Sequence, residues 1–338
     1  MVPGDARPVT NPESTMNSGQ GGSLGERPFD LQGHRGARGL WPENTLGGFA
    51  RALALGIDSI ELDCAMSRDG VVVISHDPQL NPEHTRDEHG RFLSQPGPLI
   101  WATDYAALAR YDVGRIRPGS EYSRAHPLQQ PLDGERIPRL ADLFALVGRL
   151  DNRRVRFNIE VKVFPLQPEL TAAPEPFVRA LLGVIDAAGM ATRCTIQCFD
   201  WRVLNVTQRL APGIATGALT DQQGADDTIL LDAPVPSPWL GGLDARQFRG
   251  SVPRLAKASG AGTWSPNYLD LGAAQVVEAH ELGLLVIPWT VNEPADMQRL
   301  LAMDVDGMIS DRPDLLREVL AAQRGGGAGV GAGRGDRV

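Results

Sequence analysis

Residues 57–78 read IDSIELDCAMSRDGVVVISHDP. Two apolar, β-branched runs flank an Asp69-Gly70 pair, the pattern of two strands joined by a tight turn. Within these runs Glu61, Asp63 and His76 stand where a core favours Val and Ile. Side chains two apart on a strand share a face, so Glu61 and Asp63 point together. The same spacing aligns Asn158, Glu160 and Lys162 in FNIEVKV.

Outward from this stretch, strand-like and helix-like segments alternate about eight times. PFDLQGHRG reads as a first strand ending at His34, and ENTLGGFARALALG as a helix between Pro42 and Gly56. The series closes with DGMIS and PDLLREVLAA. This repeat predicts an α/β fold, a TIM (β/α)8 barrel. The apolar density of the strands predicts burial on both faces, with apolar side chains filling the barrel around ligands at its mouth. No G-x-G-x-x-G follows the first strand, which disfavours an open dinucleotide-binding sheet. Residues 78–138 interrupt the alternation and predict a small insertion after the second strand, a lid or cap. Residues 1–27 and 323–338 are Gly-, Ser- and Pro-rich and predict a disordered leader and tail around a barrel spanning 28–322.

The chain has 338 residues, is 42% hydrophobic and carries a formal charge of -8. That balance excludes a general nucleic-acid or anionic-membrane binder, so a grip on phosphate must come from local charge or a metal. Only two of the basic residues are lysines, Lys162 and Lys257. Three cysteines, Cys64, Cys194 and Cys198, suggest buried thiols rather than a disulfide framework. With no apolar leader segment and no run of about eighteen apolar residues, the expectation is a cytoplasmic protein without stable membrane insertion.

On a barrel, the C-terminal ends of three neighbouring strands would present His34, His76, Glu61, Asp63, Glu160 and Lys162, at the end where barrel enzymes place their chemistry. Carboxylates buried this close need a counter-charge. Lys162 and Arg35 supply part of it, but three carboxylates also suit a hard divalent cation: Mg2+ or Ca2+, with Mn2+ also compatible. The two imidazoles then make an acid/base pair, and together with Arg35 and Lys162 they suit a phosphoester.

The blocks GHRGARGLWPENTLGGF, IELDCAMSRDGVVVISHD, NIEVK, WTVN and ISDRP resemble the signatures of the glycerophosphodiester phosphodiesterase family, in order, over residues 29–321. The resemblance implies hydrolysis of glycerophosphodiesters to glycerol 3-phosphate and an alcohol, with a small-molecule substrate. It implies His34 and His76 as general acid and base, Glu61, Asp63 and Glu160 as metal ligands, and Arg35 and Lys162 on the phosphate. Glu43 and Asn44 would sit at the mouth. Phe199 and Trp289 would wall the glycerol pocket, and Asn292 would orient a substrate hydroxyl or cap a helix. Asp77 would hold the His76 loop, and Asp311 would be structural. The implied route has the glycerol hydroxyl attack phosphorus first; direct attack by water is the alternative. A related reading is a phospholipase D-like lipid phosphodiesterase acting on lysophospholipids or sphingomyelin. A third is a non-catalytic binding barrel.

Overall fold

A computed structural model describes residues 28–326; residues 1–27 and 327–338, which include the expected leader and most of the expected tail, lie outside the described part. The strands are β1 (Asp30–Gly33), β2 (Ser59–Met66), β3 (Val72–Ile74), β4 (Arg156–Val161), β5 (Cys194–Cys198), β6 (Ala215–Thr220), β7 (Thr263–Pro266), β8 (Leu285–Val286) and β9 (Gly307–Ser310). All but β3 are parallel, in the order β8-β7-β6-β5-β4-β2-β1-β9. β8 is short because Pro288 lacks the N–H that would extend its ladder. Single backbone bonds close the ring instead: Asp306 N–H to Val286 O at 3.0 Å, Ile309 N–H to Pro288 O at 3.0 Å and Val291 N–H to Ile309 O at 3.0 Å. The result is the eight-stranded TIM barrel that the alternation predicts.

The helices are α1 (Leu46–Ala54), α2 (Tyr105–Leu108), α3 (Glu121–Ala125), α4 (Leu140–Arg149), α5 (Pro174–Ala187), α6 (Trp201–Leu210), α7 (Val252–Ala258), α8 (Ala273–Glu281), α9 (Pro294–Leu301) and α10 (Pro313–Gly326). Local chemistry sets their starts: Thr45 Oγ1 accepts from Gly48 N–H at 3.1 Å ahead of α1, and Pro opens α5, α9 and α10. α10 continues to Gly326, past the expected boundary at 322, because REVLAAQR still favours helix.

The interior corrects one expectation. Apolar side chains fill only part of the barrel: Leu219, Ile287 and Ile309 line its cavities, and polar residues take much of the rest. Ile60, Leu62 and Cys64 on β2, and Phe157, Ile159 and Val161 on β4, join one core with Phe49 of α1, Leu143 and Phe144 of α4, and Phe177 of α5. The Phe144 and Phe157 rings meet edge-on at 4.9 Å. The alternate residues, Gln32, Ser59, Glu61, Asp63, Asn158, Glu160 and Gln197, are buried and polar. IELDC, NIEVK and TIQC alternate strictly, so on these three strands period two sends the apolar side chains to the helix layer and the polar ones to the lumen.

The segment 78–138 follows the β2–β3 hairpin and holds α2 and α3. Its Leu80, Ile100, Leu108 and Ile137 form a second small core with Ala65 and Val73 of the hairpin. Among the described residues no helix is long and apolar enough to cross a membrane.

Candidate active site

Glu61, Asp63 and Glu160 meet as the alternation predicts. One oxygen from each lies within 4.8 Å of the others, and all three residues are buried. Oxygens about 2.0–2.6 Å from one hard cation stand about 3–5 Å apart, so the trio fits Mg2+, Mn2+ or Ca2+. Asp63 Oδ1 is buried with no hydrogen-bond partner, as a vacant ligand atom would be. Electrostatics divides the trio. Burial pushes Glu61 well above the usual carboxylate range, and Asp63 and Glu160 add to the push. Burial also raises Glu160, with Lys162 countering part of the effect. For Asp63 burial is outweighed by Arg35, His76 and Lys162, which hold it far below that range. Such a cluster is under-neutralised by protein alone and can hold a divalent cation.

Arg35 and Lys162 line the same cavity. Arg35 NH1 donates to Glu43 Oε1 at 2.8 Å, and Arg35 Nε lies 3.1 Å from Asp63 Oδ2, off the hydrogen-bond line. Lys162 Nζ donates to Glu160 Oε1 at 2.6 Å and lies 3.8 Å from Asp63 Oδ1. Burial works against the Lys162 charge, but Glu160 and Asp63 outweigh it and raise the ammonium. For Glu43 burial is likewise overcome by Arg35, leaving the carboxyl at about 2. Asn44, held at a φ of 55, donates from Nδ2 to Asp63 Oδ2 at 2.9 Å, so its amide serves the cluster rather than open space.

The histidines arrive by different routes. His34 follows β1 directly. His76 arrives through the hairpin expected at Asp69-Gly70: β3 runs antiparallel to β2, and Cys64 pairs with Ile74. Ser75 N–H then donates to Asp63 O at 3.0 Å, so the chain returns down the hairpin and delivers His76 beside the cluster. Each imidazole is pinned at Nδ1 by a carboxylate: His34 by Asp311 Oδ1 at 2.6 Å, and His76 by Asp77 Oδ1 at 2.7 Å. A carboxylate there fixes the proton on Nδ1 and leaves Nε2 free. His34 Nε2 lies 3.9 Å from Glu61 Oε2. Burial, then Arg38, lowers His34 to about 4. Burial, then Arg35 and Lys162, lowers His76 to about 4. Both rings are therefore neutral at pH 7, each with Nε2 as its open acceptor.

These groups line a cavity of about 200 Å³ walled on one side by Phe199 and Trp289. The two rings meet edge-on at 5.3 Å, and Lys162 Nζ stands 6.0 Å from the Phe199 centroid. Asn292 does not face this cavity: its Nδ2 donates to Asp311 Oδ2 at 2.9 Å, and its Oδ1 accepts from Asp311 N–H at 2.9 Å. Its amide therefore holds the carboxylate that holds His34.

Sequence reading did not single out Arg38 or Gln197. Arg38 Nε donates to Asp311 Oδ1 at 2.9 Å. Gln197 Nε2 donates to Glu61 Oε1 at 3.1 Å. The alternation of CTIQCF placed Gln197 in the lumen and was the available signal; Arg38 lies in a loop, where no periodicity speaks.

Comparison with known proteins points to one family. The family model described as the Glycerophosphoryl diester phosphodiesterase family matches residues 34–315. A glycerophosphodiester phosphodiesterase of Caldanaerobacter subterraneus subsp. tengcongensis is 27% identical, covering 84% of this chain and 94% of that one. A crystal structure from Silicibacter pomeroyi is 33% identical with a TM-score of 0.78, over 88% of this chain and 95% of that one. An Oleispira antarctica phosphodiesterase, solved in complex with the product sn-glycerol-3-phosphate, is 22% identical with a TM-score of 0.61, over 87% and 97%. The matched span takes in the barrel from His34 onward together with every residue of the acidic cluster, and the chain belongs to the glycerophosphoryl diester phosphodiesterase family.

Proposed function

We propose that the protein hydrolyses glycerophosphodiesters to glycerol 3-phosphate and an alcohol, with His34 and His76 as the acid/base pair. One observation carries the reading. Two neutral imidazoles, each pinned at Nδ1, face one small cavity lined also by Glu61, Glu160, Arg35, Arg38 and Lys162, with Asp63 completing the acidic cluster. Arg35 and Lys162 bind the phosphate oxygens, and the Phe199–Trp289 wall takes the glycerol carbons. The bound phosphodiester anion favours the protonated form of one imidazole, which then carries a proton on Nε2; the neutral imidazole takes the proton of the attacking hydroxyl while the protonated one gives its Nε2 proton to the departing alkoxide. If the attacking hydroxyl is the glycerol's own, water opens the resulting cyclic phosphate with the two roles exchanged. A divalent cation held by Glu61, Asp63 and Glu160 would neutralise charge growing on the phosphoryl oxygens. The product bound in the Oleispira antarctica enzyme supports the same chemistry here.

The test is release of glycerol 3-phosphate from glycerophosphocholine by chelator-treated protein, with Mg2+, Ca2+ or Mn2+ restored singly. Cation-restored release that is absent in His34→Ala is the expected outcome. Equal release by His34→Ala overturns the acid/base assignment, and release undiminished by chelation overturns the metal role.

A second reading, cleavage of lysophospholipids, draws on the rim. Leu128, Leu166, Val235 and Leu269 are exposed on the insertion and on loops that follow barrel strands. Leu128 also lines a cavity of about 420 Å³ that borders Asp311. Faster turnover of lysophosphatidylcholine than of glycerophosphocholine would select this reading.

A further inference from the structure

Glu61 is held at both oxygens by groups outside the acidic cluster. Oε2 accepts from Arg35 N–H at 2.9 Å, and Oε1 accepts from Gln197 Nε2 at 3.1 Å. The anion dictates how the Gln197 amide lies: its nitrogen must face Glu61, so its oxygen faces away. That oxygen accepts from Asn158 Nδ2 at 3.0 Å. The same Asn158 nitrogen donates to Gln32 Oε1 at 2.9 Å, and Gln32 Nε2 donates to Asp30 Oδ2 at 3.0 Å. Asp30 is tied in turn by Ser59 Oγ at 2.8 Å and Arg156 NH2 at 2.9 Å.

The chain of bonds therefore runs from the barrel floor to the acidic cluster, polarised outward from Asn158 to a carboxylate at each end. Only a side chain with two donor hydrogens on one atom can stand at its centre, and Asn158 spends both there. Its Oδ1 is left buried without a partner, and the residue lines a floor cavity of about 270 Å³. Space for Gln197 is kept by Gly217, its neighbour across β5–β6, where an added Cβ would stand 3.3 Å from Gln197 Cβ.

We propose that Asn158 and Gln197 are positioning residues that fix the Glu61 carboxylate for a divalent cation, through this relay anchored on Asp30. Asn158 stands opposite Glu61 across β2–β4 but makes no hydrogen bond to any of the three clustered carboxylates, so its hydrogen-bonded route to Glu61 runs through Gln197. The inference rests on the metal-binding reading for one of its two readouts.

The experiment is calorimetric titration of chelator-treated protein with Mn2+ for wild type, Gln197→Met, Asn158→Leu and the double variant. Partners that orient a metal ligand typically contribute about 10–100-fold in metal affinity. Gln197→Met is expected to weaken Mn2+ binding about tenfold, and Asn158→Leu several-fold. The double variant should be no weaker than Gln197→Met alone, because both changes cut one relay. Thr195→Val, which lines the same floor cavity outside the relay, should bind as wild type does. Wild-type affinity in Asn158→Leu, or losses that multiply in the double variant, would overturn the proposal. The second readout needs no cation: exchange of the Arg35 amide, bonded to Glu61 Oε2, in the metal-free protein. It should quicken in both single variants, and unchanged exchange sinks the relay. If wild type binds no cation while exchange still quickens, the metal reading fails and the relay stands.

Discussion

At the mouth of the barrel Glu61, Asp63 and Glu160 crowd together beside Arg35 and Lys162; at the floor Gln32, Asn158 and Gln197 meet as neutral amides. Both regions are buried and polar, yet they behave differently. The amides satisfy one another almost completely, since each can donate and accept. The carboxylates can only accept, so they remain in tension until a proton, a cationic side chain or a metal relieves them. Polar burial is thus a scaffold at the floor and a reactive surplus at the mouth, and the boundary between them is one hydrogen bond, Gln197 to Glu61.

The contrast predicts that chemistry is lost from the mouth in large steps. His34→Ala or His76→Ala should lower kcat about 10²–10⁴-fold with the fold intact, as glycerol 3-phosphate release and circular dichroism would show. Asp311→Asn comes next. It keeps the shape but removes the anion that fixes the proton on His34 Nδ1, and kcat should fall about 10²-fold while KM holds. A fall in KM-linked binding with normal kcat would break the distinction between holding and reacting.

Those residues also show how far the sequence could be read. The barrel and the acidic trio were legible because period-two alternation and eightfold repetition survive in linear order. So was the β2–β3 hairpin, from the Asp69-Gly70 turn between its two apolar runs. The polar lumen was not recognised, since the buried strands were judged on apolar density although IELDC and NIEVK alternate strictly. Asn292 paired with Asp311, and Arg38 on the same carboxylate, depend on contacts between β9 and distant loops that no spacing announces.

Smaller effects sharpen the comparison through stability. His34 keeps a pKa near 4 in the folded protein against 6.5 when free. Between those values the unfolded chain binds a proton that the folded one does not, so stability falls as pH drops through the window. The full cost is about 3 kcal/mol at the acid end. In metal-free protein, His34→Gln should flatten the decline of Tm between pH 6.5 and 4. Glu61→Gln should act the other way at pH 7: it removes a carboxylate raised by burial and by its like-charged neighbours, and Tm of the metal-free protein should rise by the equivalent of about 1 kcal/mol while activity is lost. A lower Tm would mean that the hydrogen bonds Glu61 accepts from Arg35 N–H and Gln197 Nε2 outweigh the relief of charge.

The hairpin that returns His76 to the cluster rests on the insertion: Ala65 and Val73 pack on Leu80, Ile100, Leu108 and Ile137, and Ile74 N–H donates to Pro138 O at 2.8 Å. Evolution, or a protein engineer, cannot exchange the 78–138 segment as a free module. A graft chosen for a new headgroup also replaces the bed on which the His76 imidazole lies, so altered selectivity and altered turnover should be inherited together.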